Sequence, residues 1–229
     1  MKRLATGLWN LLPLSVRRLV VHEIRALYSI WLWVFRRRHG IGPGTHTAGY
    51  TAPQTAMMWA WIFVSLVETV ALAMIIPWPL VHAITLYVSL YGLVLMVGLQ
   101  AACVTRPHVV GADGSLRLRY GALFDLRIPA RAIERVRIDR RFPEGKLVQP
   151  RDDGSLELIV GGQTTLAVDL AEPLVYVRPL GRRGTAHTIR FHADDPAALL
   201  AALTRRTPTG PGEGSGEPAE SGRTEPEPA

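Results

Sequence analysis

The stretch "WIFVSLVETVALAMIIPWPLVHAITLYVSLYGLVLMVGLQ", residues 61–100, contains one charged residue, Glu68, and near its middle two prolines on either side of a tryptophan. Extended to Ala56 and Val104, it divides into two apolar runs, 56–78 and 80–104. Each is longer than the roughly 20 residues a helix needs to cross about 30 Å of hydrocarbon. The link "PWP" (77–79) stops the first helix and pre-sets the chain for the second, so a tight hairpin is expected, returning the chain to the side it left. Trp59, Trp61 and Trp78 fit the two interfacial belts of such a hairpin.

Charge is distributed around this block unevenly. Residues 1–54, 55–104, 105–206 and 207–229 carry net charges of +7, −1, +5 and −4, which together make the +7 of the chain. A basic excess beside an apolar block suits a membrane facing anionic lipid better than nucleic acid. Arginines 36–38 before the hairpin and Arg106 after it put both its ends in the cytoplasm by the positive-inside rule. Arg outnumbers Lys by 24 to 2, a codon bias expected of a GC-rich bacterial genome, and the expected location is a bacterial cytoplasmic membrane crossed twice, with both termini cytoplasmic. The lone Cys103 forms no intramolecular disulfide.

At the start of the chain, Lys2 and Arg3 followed by "LATGLWNLLPLSV" imitate a signal peptide, but Arg17 and Arg18 follow with no small-x-small cleavage site, so the segment is expected to be retained. From Val16 the period is helical. Val16, Val20, Ile24, Leu27, Trp31, Val34 and Phe35 share one face, and Arg18, His22, Arg25, Ser29 and Arg36 the other. Such a helix suits the headgroup region, with Arg18, Arg25, Trp31, Arg36, Arg37 and Arg38 as lipid-interface candidates; packing on the chain's own β half is the alternative. "RRRHG" (36–40) would end it with cations and a glycine, and 40–54 reads as a loop.

From Pro107 the period becomes alternating. Seven strands are expected, at about 115–120, 123–128, 133–139, 156–160, 164–169, 173–178 and 187–192, with turn chemistry at "ADGS" (112–115), "DDGS" (152–155) and "VGGQ" (160–163). "ADDPAALLAALTRR" (193–206) supplies an Asp N-cap, Pro in the first turn and an Ala/Leu face, hence a closing helix. The tail 207–229, rich in Pro, Gly, Glu, Ser and Thr, is expected to be disordered. The layout is therefore an N-terminal helix and loop (1–54), a two-helix transmembrane hairpin (55–105), and a small all-β barrel or sandwich capped by a helix (106–206), α+β in sum, followed by the tail.

"LRLRYGALFDLRIPARAIERV" (116–136), with its "IPxxxIxxV" spacing, resembles the opening of bacterial pleckstrin-homology-like domains that follow paired membrane helices. Through "RRRHG", "TRPHV" (105–109) and "ADDPAALLAAL" (193–203) the whole chain resembles a group of actinobacterial integral membrane proteins, a likeness that bears on layout and carries no chemistry. The pleckstrin-like resemblance implies binding of proteins or lipid headgroups without catalysis. Headgroup binding of that kind would use a basic loop, and the candidates are Arg140, Arg141 and Lys146 in "DRRFPEGK" (139–146), and Arg182 and Arg183 in "GRRG" (181–184). A solvated turn is the plainer reading of each.

No phosphate-cradling, zinc-protease or serine-hydrolase template occurs, so no enzyme activity, cofactor or metal is expected. His187 and His192, five apart on a strand, face opposite sides; solvation accounts for His22 and an interfacial place for His82. Glu68 is harder to place, because an acid at mid-span costs about 2.5–3.5 kcal/mol on insertion scales. Counted from Trp78 it lies level with Val88, within reach of Tyr87, Ser89 and Tyr91. Three roles stay open: a hydrogen bond across the hairpin, an assembly contact helped by Gly98 and Ala102, or a proton or ion relay. The expected function is a membrane-anchored binding or scaffolding module, with anionic lipid, another membrane or cytosolic protein, or a second copy as partner. The alternative is a small oligomeric transport or proton-coupled subunit centred on Glu68.

Overall fold

The computed structural model of the chain describes residues 13–37 and 39–205. Arg38, most of the signal-like stretch and the acidic tail lie outside them. Helix α1 spans Leu14–Val34 and starts directly after Pro13, whose extended backbone (ψ 146°) cannot continue a helix backwards. It stops earlier than the "RRRHG" reading expects. The Arg37 N–H donates to the Leu32 carbonyl (2.8 Å) and Arg36 takes the left-handed conformation (φ 51°), so an arginine sits where a helix end usually places glycine. Gly40 belongs to the following loop, packed beneath Arg119, whose Nη2 lies 2.6 Å from where a Cβ on Gly40 would sit.

Two helices long and apolar enough to cross a membrane follow, α2 (Ala52–Ile75) and α3 (Pro79–Thr105). The first is shifted relative to the 56–78 expected: Pro77 forces Ile76 out of the helical region (ψ 111°), and Pro53 lets the helix begin at Ala52 inside what reads as loop. Short strand β1 (His46–Ala48) occupies more of that loop. The hairpin shows its apolar side chains outward, Phe63, Met74, Leu80 and Tyr87 all being more than 60% exposed. The buried positions of α3 gather at its last two turns, Gly98 to Thr105. There α1 crosses it: Ala26 is fully buried against Gly98, where an added Cβ would meet the Ala26 backbone at 3.2 Å. Ala102 is buried beside Gly121. Both small residues are thus packed inside the chain and are not open to the assembly contact that is one of the three roles left for this region.

The β half contains more strands than the seven expected. Antiparallel β1, β2 (His108–Val110), β3 (Leu116–Tyr120) and β4 (Phe124–Ile128) form one sheet in that order. The other sheet comprises β5 (Ile133–Arg141), β6 (Val148–Pro150), β7 (Ser155–Leu158), β8 (Thr164–Val177) and β9 (Arg183–Phe191), ordered β5-β8-β9-β7-β6. β7 and β9 run parallel and the other pairs antiparallel. The expected strands 164–169 and 173–178 are one, the bend between them absorbed by a register shift between Asp169 and Leu174. The two sheets do not close into a barrel. Leu116, Leu118 and Ile128 from one, Leu156, Leu166, Ile189 and Phe191 from the other, and Leu199 and Leu203 from α4 (Pro196–Thr204) build the common core.

The turns are made as their residues dictate. Asp113 Oδ1 accepts from the Ser115 N–H and hydroxyl (3.1 and 2.6 Å) with Gly114 at φ 75°, and Asp153, Gly154 and Ser155 repeat the device. The adjacent aspartates of "ADDP" cap two different helices. Asp195 Oδ1 accepts from the Ala198 N–H of α4 (2.9 Å), whereas Asp194 Oδ1 accepts from the Ala52 N–H (3.0 Å), capping the first turn of α2 from the β domain.

Candidate functional site

Hairpin and β domain meet in a buried polar junction. Fully buried Tyr50 stacks on His108 (ring centroids 4.6 Å apart), and its hydroxyl accepts from the Gly121 N–H (2.7 Å). His108 Nδ1 accepts from the Arg119 N–H (3.1 Å), which leaves Nε2 to donate to the His192 carbonyl (3.0 Å). Burial pushes the His108 imidazole down to about 3, so it is neutral at physiological pH. Arg119 donates to the His39 carbonyl (2.7 Å), and the His39 N–H donates to the Thr105 carbonyl (3.0 Å), closing the loop 39–40 over the end of α3.

Helix α1 lies against this junction with its polar edge inward. His22 is not solvated: Nδ1 meets the Ala122 carbonyl in the β3–β4 turn (2.7 Å) and Nε2 the Pro179 carbonyl in the β8–β9 turn (3.1 Å). Both partners accept only, so a ring carrying two N–H groups serves both and a ring carrying one serves a single turn. Arg18 Nη1 reaches the Arg178 carbonyl at 3.5 Å. Leu19, Ile24, Val34 and Phe35 are exposed on the other side, and Tyr28, Trp31 and Phe35 form an exposed aromatic ladder with Arg37 5.7 Å over the Trp31 ring. Of the two environments that compete for such a helix in the sequence, packing on the β domain is met on the polar edge, and the aromatic face is left uncovered.

A cationic cleft lies near each end of α1. At its C-terminal end Trp33, Val34, Arg36, Arg37, Val104 and Thr105 line a cleft of about 510 Å³. Beside its N-terminal half, Lys146, Arg178 and Arg182 surround a cleft of about 330 Å³ with Leu147, Val148, Pro179 and Leu180 as its apolar lining. The two loops that the sequence offers separately as candidates contribute to this one cleft, through Lys146 and Arg182. Arg178 and Leu180 escape sequence reading, since nothing local marks "VRPLG" (177–181) as more than a turn. No carboxylate lines either cleft among the described residues.

A third cleft, about 460 Å³, shows what compensation does. Arg141, Arg151 and Arg190 line it with Phe142, Pro143, Asp153 and Glu157. Arg151 pairs with Glu157 (2.7 Å), Arg141 with Asp139 (3.1 Å), and Arg190 with Asp139 and Asp153 (3.6 and 3.7 Å). Arg141 is thereby paired with Asp139 although its side chain stays exposed, while Arg140 is solvent-exposed and Arg183 opens β9, also exposed. Arg25 is exposed; its carbonyl lies 3.5 Å from Arg106 Nη2.

In the hairpin Glu68 points outward and makes no hydrogen bond or ion pair among the described residues. Its neighbour Thr69 is the buried one, and Ser89 is half-buried. Tyr87 and Tyr91 are exposed on α3, their rings stacked at 6.4 Å. The hydrogen bond across the hairpin, one of the three roles open to Glu68, is therefore absent from the single chain among the described residues. Comparison with family models, with curated proteins and with solved structures finds no match for this chain, so the assignment of the site rests on its geometry.

Proposed function

We propose that this chain is a non-enzymatic binding module anchored in the bacterial cytoplasmic membrane, whose pleckstrin-like β domain is held against the headgroup layer to engage anionic phospholipid. In this reading α2 and α3 span the bilayer, both termini are cytoplasmic, and α1 floats at the interface with its aromatic face in lipid. One observation carries it: the polar edge of α1 docks on the β8–β9 turn, and that same turn supplies Arg178, Leu180 and Arg182 to a cleft without a carboxylate among the described residues. Apolar Leu180 between arginines suits a loop that dips among acyl chains while its cations meet phosphates.

The test is native mass spectrometry of the full chain in nanodiscs of mixed phosphatidylglycerol and phosphatidylcholine. Retained lipid should be enriched in phosphatidylglycerol, and the Lys146→Gln/Arg178→Gln/Arg182→Gln variant should lose that enrichment while unfolding at nearly the wild-type temperature. Equal retention of both lipids by the wild type would refute the reading.

A protein partner is favoured by a separate feature. The outer edge of β5, nine residues long, pairs with no strand among the described residues and carries exposed Ile138, with Phe142 79% exposed just beyond it. Proton-coupled transport draws on Glu68 alone, and Glu68→Gln abolishing proton flux in reconstituted vesicles would establish it.

A further inference from the structure

The outer surface of the hairpin carries two incomplete hydrogen-bonding faces, Glu68 on one helix and, about 3 to 9 Å nearer the turn, Tyr91 and Tyr87 on the other. On α2, Glu68 lies on an exposed stripe with Trp61, Val64 and Ile75. On α3, the phenols of Tyr87 and Tyr91 stand outward and make no hydrogen bond among the described residues. The Ser65 hydroxyl donates to Met96 Sδ (3.6 Å), which fixes the pairing of the two helices. Counting on from that pair toward the turn sets Glu68 level with Leu93, so the Tyr91 backbone is about 3 Å away along the membrane normal. Hydrocarbon supplies no partner to any of these groups.

The two faces are complementary, phenol donors against a carboxyl acceptor, and cannot meet within one hairpin because both look outward. A Cβ built on Gly92, the next residue along α3, would meet nothing within 4 Å, so no side chain of the chain itself covers that part of the helix. We infer that a second copy of the chain docks on the first within the membrane, the Glu68 face of α2 in one copy against the Tyr87–Tyr91 face of α3 in the next. The contact joins two different faces, so repetition closes a ring of hairpins or continues a row. Gly98 and Ala102 take no part, being covered by α1 and by the β3–β4 turn. Nothing in this contact depends on lipid bound at the cationic clefts.

The experiment uses full-length chains with Cys103→Ser, co-expressed with two affinity tags. One copy carries Ala71→Cys, a turn from Glu68, and the other Val94→Cys, a turn from Tyr91. A short bifunctional maleimide should link differently tagged copies at 71–94, with little 71–71 or 94–94 product. Adding Glu68→Leu, or Tyr87→Phe with Tyr91→Phe, should lower the yield about threefold to tenfold, the range expected for interhelical hydrogen bonds. Glu68→Gln, which keeps an acceptor, should retain most of it and guards against misfolding as the cause. Absence of the 71–94 product, predominance of 71–71 or 94–94 links, or a yield indifferent to Glu68→Leu and to the tyrosine variants would each overturn the inference.

Discussion

The two arginine-bearing clefts of the β domain make an instructive pair. The cleft of Arg141, Arg151 and Arg190 has as many cations as the cleft of Lys146, Arg178 and Arg182, but Asp139, Asp153 and Glu157 answer its charges. Arg190 is buried there, and a guanidinium leaves water only where carboxylates offset the cost of desolvation. The first cleft is therefore a structural cross-brace joining β5, β7 and β9. The second keeps its cations at the surface, where they attract anions and add little to folding. The number of arginines in a loop says less about binding than the carboxylates that fold back onto them.

This contrast can be broken from either side. The largest effect is expected for Arg190→Met, which removes the buried cation between Asp139 and Asp153 while Asp139 keeps Arg141, and should destabilise the domain by about 2 kcal/mol in thermal or denaturant unfolding, leaving lipid selectivity intact. A buried polar group without charge behaves in a third way. With the His108 imidazole held at about 3 against 6.5 for the free side chain, the unfolded chain binds the extra proton as pH falls. Stability is complete above pH 6.5 and should decline between pH 6.5 and 3, with a slope approaching about 1.4 kcal/mol per pH unit for this group. His192 is lowered in the same direction by its own burial, partly opposed by Asp194. Unfolding temperatures measured across that window should show a shallower slope in His108→Gln.

Leu180→Glu gives the open cleft the carboxylate it lacks. Phosphatidylglycerol enrichment in nanodiscs should fall about fivefold, in line with the roughly 1 kcal/mol that each charge contributes near an anionic surface, with little change in unfolding temperature. The smallest effect separates the two caps: Asp194→Ala and Asp195→Ala should each cost about 1 kcal/mol. Hydrogen exchange would distinguish them, Asp194→Ala loosening the first turn of α2 and Asp195→Ala that of α4.

Much of the architecture was legible in local chemistry. The prolines of "PWP" set the hairpin turn, Asp-Gly-Ser made both tight turns, and Asp195 before Pro196 started α4. Strands β1, β2 and β6 escaped because three residues carry too little alternation, and each forms only when a partner from elsewhere pairs with it. Asp194 gave no sign of its cap on α2, since its partner Ala52 is 142 positions away. Of the site, Lys146 and Arg182 were visible as members of separate loops, but Arg178 and the division of the cations into compensated and uncompensated sets were not.

By itself the sequence determined that two apolar helices pair through a short turn, that a strand-rich half follows, and where charge accumulates, because helix length, proline and turn residues act within a few positions of themselves. The tertiary structure decided that α1 turns its polar edge to the β domain and its aromatic face outward, that Gly98 receives α1, and that Glu68 looks away from its own hairpin. Those outcomes depend on helix rotation and on which distant carbonyl or carboxylate arrives nearby, and both are fixed only when the whole chain packs.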